Sequence, residues 1–346
     1  MDGTVSLEAE SKYENQSAEI SDIVPVPKIV LEIVTTFNFL IFGAVIGLVG
    51  IIGNIVNIFV FLKQGFKDRI NIALVAIAVS DIGSLMTLQM SNIMLNSWFM
   101  QLDIPIVQMN FVATVVVYPH NYFVRVCGFI TAFASVERCL CVFAPFKVRL
   151  IITRKVSLFI VVCVYVILIF DLVPVYYMTY LDWRFFPETN SSKLGVHFRG
   201  NPRDVFGFIY FITDIFLPHT SFTIIVISNI ILTAKMRKRT GNKVKLTNAS
   251  QKMMEKMIKK DMNIIKMLLV VSALFIVCLI PQSALNTAIG FYREFGYQLK
   301  YQDRLILCYS VSYLTETVGS SVNIVVYYRM STKFRSMFNA IFLKML

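Results

Sequence analysis

The chain has 346 residues, of which 56% are hydrophobic and only 16% charged, too little polar surface for a water-soluble enzyme of this length. Its net charge of +12 raises nucleic acid as a partner, but the basic residues alternate with long apolar stretches and form no single stripe with interleaved aromatics, which argues against it. A membrane protein is the class that remains, and 29 Phe, 15 Tyr and 16 Met suit lipid-facing helices or a cavity between them.

The first 33 residues are strongly acidic, with no basic start followed by an apolar run. No cleavable leader is expected, and the first span serves as the insertion signal. About 20 apolar residues cross the hydrocarbon as a helix, and seven stretches qualify, at about 34 to 62, 70 to 95, 106 to 143, 156 to 180, 206 to 234, 262 to 289 and 305 to 328. The third, fifth and sixth exceed one bilayer thickness, so tilt or protrusion is expected.

Basic residues crowd the connections on one side, with Lys63, Lys67 and Arg69, then Lys147, Arg149, Arg154 and Lys155, then a run from Lys235 to Lys260 opposed only by Glu255. That side is expected to be cytoplasmic and the N-terminus outside. The basic run suits contact with anionic lipid as well as with a protein partner. The sequons Asn15-Gln16-Ser17 and Asn190-Ser191-Ser192 fall on the expected outer face, whereas Asn248-Ala249-Ser250 falls inside and is expected to stay unmodified. Cys127, Cys139, Cys141, Cys163, Cys278 and Cys308 all lie in or beside apolar segments, which indicates no disulfide framework.

Within the spans, Gly53-Asn54 and Ala78-Val79-Ser80-Asp81 stand in the first and second. Glu137-Arg138-Cys139 closes the third, with Pro145 beyond it, and Pro218 stands in the fifth. Phe275 and Cys278-Leu279-Ile280-Pro281 mark the sixth, and Asn323-Ile324-Val325-Val326-Tyr327 the seventh, followed by a basic amphipathic segment with Phe334. In this order and spacing the set resembles the rhodopsin-like G-protein-coupled receptors. The resemblance implies an all-α fold, a seven-transmembrane helix bundle with a short amphipathic cytoplasmic eighth helix. The expected divisions are an extracellular segment over 1–33, the bundle over 34–328, and the amphipathic helix with a short tail over 329–346. It also implies a receptor in the plasma membrane, multi-pass, that binds an extracellular small molecule or peptide and activates a heterotrimeric G-protein.

The chain departs from that pattern in its outer half. The family's usual third-helix cysteine would fall near Ala113, and the 181–205 loop has no cysteine to pair with it. The fourth-helix tryptophan is missing, Leu279 replaces the sixth-helix one, Ile324 the seventh-helix proline and Val226 the fifth-helix tyrosine. These losses resemble a divergent invertebrate branch, similar to molluscan chemosensory receptors. A neuropeptide or amine receptor is the alternative within the family. A membrane transporter is the alternative outside it, which would call for an inverted repeat that the sequence does not display.

The resemblance implies a switch in which Arg138 pairs with Glu137 or with Asp261 at the start of the sixth helix and that helix swings outward when the contact breaks, with Pro281, Asn323 and Tyr327 also among the switch residues. Arg138 snorkelling to lipid is the plainer reading. Asp81, with Asn54, Ser320 and Asn323, forms either a hydrogen-bonded network or a site for a small hard cation such as sodium. Higher in the bundle, Arg125, Asp171, Asp214 and Glu316 are charges that need partners in a membrane. Helical phase turns Arg125 and Asn121 toward the fourth and fifth helices, and His120 toward the second and seventh. Arg125 is thus expected to pair with Asp171 or Asp214, and His120 to approach Glu316. Tyr292, Tyr313, Gln282 and Asn286 are candidates for the mouth. One arginine against three carboxylates favours a ligand with positive charge, such as an amino acid, amine or short peptide amide. The three histidines, His120, His197 and His219, are scattered, so neither a metal centre nor an enzyme is expected.

Overall fold

The computed structural model describes residues 26–343, apart from 67, most of 95–110, 145–147, 149, 187–189, 200–206, 242–248 and 293–301. For 113, 238–241, 249–261, 302 and 343 it describes the backbone alone. Six helices are long and apolar enough to cross a membrane: α1 (Lys28–Gln64), α2 (Ile70–Met94), α3 (Thr114–Phe143), α4 (Arg154–Met178), α5 (Gly207–Arg237) and α6, whose apolar part is Met262–Phe291. The bundle is completed by α7 (Gln302–Ser321), which carries Asp303, Arg304 and Glu316 and is too polar to qualify by composition alone. After Val322 the chain continues as α8 (Asn323–Met330) and turns into α9 (Thr332–Phe338).

The helices start and stop for local reasons. Gly65 ends α1 with φ 72°, a left-handed conformation that glycine adopts without strain. Thr153 caps α4 by accepting from the Val156 amide, and Ser331 caps α9 by accepting from that of Phe334. Prolines shape the upper half. Pro174 offers no amide to the Phe170 carbonyl, and α4 breaks at Phe170–Asp171. Pro119 and Pro218 each follow a wide π-helical turn, Ala113–Val117 and Phe211–Phe216, where an extra residue per turn swings consecutive side chains inward.

The third helix is the centre of the bundle, packing on α2, α4, α5 and α6, while α1 closes against α2 and α7. The core lies in the half near the 144–155 connection, called the basic end below. There Leu74, Ile77, Ile130 and Val126 are sealed, and the rings of Phe61, Tyr327 and Phe334 meet at centroid distances of 5.2, 5.3 and 5.7 Å. Tyr165 ties α4 inward, its hydroxyl donating to the Ala76 carbonyl and lying 2.7 Å from Ser80 Oγ. Leu158, Phe159, Val162, Val166 and Phe170 point away from the bundle, as do Val45, Leu48, Val49 and Ile52 of α1. So wide an exposed apolar surface suits lipid and not water.

At the other end, the hairpin end, the 181–205 connection holds an antiparallel pair, β1 (Thr179–Phe186) and β2 (Ser191–Phe198), in the register Thr179↔Phe198 to Phe186↔Ser191. Asn190 sits in its turn with φ 45°. The Leu194 amide donates to the Pro105 carbonyl at 2.8 Å and Arg199 closes the hairpin onto Met178. The helical expectation for the fold holds, with this hairpin as an addition to it. All six cysteines are free, so the hairpin is held by main-chain hydrogen bonds and by packing such as that of the buried Val196.

Candidate functional site

Below the hairpin, the wide turn of α5 buries Thr213 and Asp214 together. Arg125 of α3, also buried, lies between two carboxylates, with Nε 3.3 Å from Asp171 Oδ2 and Nη1 4.0 Å from Asp214 Oδ1. Asp171 arrives there because the α4 break places it at the turn. Asp214 is further held by Asn121 Nδ2, which donates at 2.9 Å, and by the Thr213 hydroxyl, which donates at 2.6 Å. The arginine thus meets both aspartates that helical phase offered as alternatives.

On the opposite face of α3, His120 is sealed. Its Nδ1 lies 3.0 Å from the Ser84 carbonyl oxygen and 3.4 Å from the Thr87 hydroxyl, and its Nε2 lies 3.1 Å from Glu316 Oε1 on α7. The Tyr313 ring meets the imidazole edge-on at 5.8 Å. Tyr313 is therefore packed inside, whereas Tyr292 is exposed. Gln282 Nε2 donates to Asn286 Oδ1 at 3.0 Å.

Two cavities lie between these groups. The one nearer the hairpin, about 450 Å³, is bordered by Asn121, Arg125, Asp214, Gln282 and Asn286, with Phe222 and Phe275 as its apolar wall. The second, about 430 Å³ and nearer the basic end, is bordered by Asp81, Ser84, Cys127, Cys278, Ser320 and Asn323. Val124, Phe275, Leu279 and Glu316 border both.

In the second cavity Asn323 Nδ2 donates to Asp81 Oδ2 at 2.7 Å and the Cys127 thiol to Oδ1 at 3.5 Å. Asn54 braces α1 against α7 instead, donating to the Gly50 and Ser320 carbonyls, while its Oδ1 accepts from Asn57. Both oxygens of Asp81 are engaged by neutral donors and the third-helix group is a soft thiol. This donor set fits a hydrogen-bonded network better than a hard cation, which takes oxygen ligands.

At the basic end, Glu137 is buried with Arg138 Nη2 2.9 Å from its Oε1. A second arginine, Arg69, approaches the same oxygen at 3.6 Å and donates to the carbonyls of Val148 and Ile152. In the sequence Arg69 contributes only to the basic bias, and its position one residue before α2 carries no further signal. The Asp261 side chain lies outside the described residues, as do Asn15 and Pro145. Pro281 lies inside α6, which runs through it. Tyr327 is buried, and its hydroxyl has no hydrogen-bond partner among the described residues.

A bundle of seven helices with a wide apolar exterior, around a charged cavity and with an acidic–arginine pair at one end, defines a multi-pass membrane protein. The family model described as 7 transmembrane receptor (rhodopsin family) matches residues 53–327, and the chain belongs to that family. A comparison with curated proteins found no match.

Proposed function

We propose that the chain is a plasma-membrane receptor with its N-terminus and hairpin outside, which takes an extracellular small molecule or peptide into the cavity below the hairpin and activates a heterotrimeric G-protein at the basic end. The observation that carries this reading is the shared wall of the two cavities. A ligand touching Glu316, Phe275 or Leu279 also presses on the chamber that holds Asp81 and Asn323. Packed side chains with two discrete arrangements pass such a displacement onward.

On this reading His120, Asn121, Arg125, Asp171, Asp214, Gln282, Tyr313 and Glu316 form or support the ligand site. Asn54, Asp81, Ser320 and Asn323 form the polar relay. Arg138, held by Glu137 at rest, is released as α6 moves about Pro281, with Asp261 and Tyr327 as further partners in the switch. Residues 1–33 are the outer segment, with Asn15 and Asn190 as glycosylation sites. Residues 34–328 are the bundle, and 329–346 lie along the inner leaflet, where basic residues meet anionic lipid. The missing cysteine pair and the charged cavity support a chemosensory role in a divergent invertebrate branch.

The test is a second-messenger screen of cells expressing the full chain against amines, amino acids, peptides and odorants, with Arg138→Ala as the uncoupled control. A response in the native chain that the control lacks is expected. Ligand-driven solute flux with no second messenger would overturn the receptor reading.

A further inference from the structure

Two oxygens on the wall of the cavity below the hairpin lack a donor among the described residues. Glu316 Oε1 faces His120 Nε2 at 3.1 Å, whereas Glu316 Oε2 and the amide oxygen of Gln282 have no hydrogen-bond partner among the described residues, and the two residues are only 3% and 9% exposed. The Gln282 Nε2 already serves Asn286, so Oε1 is its free end. The donors nearby are committed: Asn121 and Thr213 to Asp214, and the Arg125 guanidinium to Asp171 and Asp214. A buried acceptor without a donor costs roughly 1–3 kcal/mol. An anion brings only more acceptors and an alcohol a single donor, whereas an ammonium group brings two or three donors and no acceptor.

The charge of this seat follows from geometry. The Ser84 carbonyl only accepts, so the His120 Nδ1 that faces it at 3.0 Å carries a proton. A bare Nε2 set 3.1 Å from an ionised Glu316 oxygen would oppose two lone pairs, so a further proton lies on one or the other. The pair is therefore neutral as a unit, and its contact is close without being aligned as a hydrogen bond. The titratable and charged groups around it are Tyr313 on α7, Asp81 on α2, Cys278 on α6, and Cys127 and Arg125 on α3.

We propose that the ligand of this cavity is a small organic cation whose primary or secondary ammonium seats on Glu316 and Gln282, with an apolar body against Val124, Phe222, Phe275 and Leu279. The proposal rests on the reading of this cavity as the ligand site. As the ammonium takes the Glu316 carboxylate, the proton shared with His120 leaves to solvent. One cation enters, one departs, and the buried charge is unchanged, which avoids the cost of adding a net charge within the membrane. Binding then tightens by up to about tenfold per unit rise in pH, the slope of one exchanged proton.

The experiment measures the melting temperature of the purified full chain with phenethylamine, 2-phenylethanol or phenylacetate at equal millimolar concentration, at about pH 6 and about pH 8. Phenethylamine is expected to stabilise, more at the higher pH, and neither of the others to match it. Glu316→Gln is expected to lose the shift and Glu316→Asp to retain part of it. Stabilisation by phenylacetate, equal stabilisation by the alcohol, an amine shift that survives Glu316→Gln or ignores pH, or no shift with any probe overturns the proposal. A second-messenger response to any other compound in those cases leaves the receptor reading standing.

Discussion

Replacing Arg125 with Met removes the one positive charge between Asp171 and Asp214. At separations of 3.3 and 4.0 Å, and with an effective dielectric constant of about 20, each attraction amounts to about 4–5 kcal/mol before desolvation and the repulsion between the two aspartates are subtracted. Breaking a buried ion pair from one side costs about 3–5 kcal/mol, because the remaining charge is stranded. At this chain length that corresponds to a fall in melting temperature of roughly 4–7 °C. Cys127 and Cys139 are free and buried, so a thiol-reactive fluorescent dye reports the unfolding directly in detergent. The triple change Arg125→Met, Asp171→Asn, Asp214→Asn is expected to recover most of the loss, since it leaves no stranded charge. A melting temperature unchanged in Arg125→Met, or a triple variant as unstable as the single one, would refute the claim that the arginine balances both carboxylates.

Arg69→Met is expected to lower basal second-messenger output, because it leaves Glu137 wholly to Arg138, and Glu137→Gln to raise it; the opposite signs would remove Arg69 from the switch. Phe334→Ala empties a fully buried ring site against Phe61 and Tyr327 and is expected to cost about 3–5 kcal/mol, read as a lower melting temperature, with no change counting against α9 as part of the core. Gly50→Ala places a methyl group against Ser321 and 2.9 Å from Leu85 Cδ1, and the forced separation of α1 from α7 is expected to cost about 1–3 kcal/mol; a variant as stable as the native chain would show that the helices shift apart freely.

Much of this arrangement is legible in the sequence because lipid imposes a coarse rule. Long apolar runs mark all seven spans unaided. The seventh, with Asp303, Arg304 and Glu316 near or within it, is the most polar of them, and Asn323-Ile324-Val325-Val326-Tyr327 supports it independently. Helical phase suffices to send Arg125 and His120 to different neighbours, since 140° between them follows from a five-residue step. It does not say that one guanidinium reaches two carboxylates at once. That depends on the break at Phe170–Asp171 and the wide turn at Phe211–Phe216, which move side chains out of regular phase. Pro174 and Pro218 signal those irregularities, but a proline alone does not distinguish a break from a wide turn. The hairpin escapes for another reason: Thr179–Phe186 has strand-forming aromatics, yet its pairing depends on the register of a second strand across the Asn190 turn and on the segment around Pro105.

The hairpin above the cavity has its own consequence. Where a sulfur–sulfur bond would pin this flap to the third helix, here a few main-chain bonds such as Leu194 to Pro105 hold it. A flap hung this way opens on the timescale of local fraying, not that of covalent exchange. On the proposed reading, such a mouth is expected to admit and release its occupant quickly, as suits a sensor that must follow a concentration that keeps changing. It is equally expected to be indifferent to reductants, so that dithiothreitol in the bath leaves a response intact.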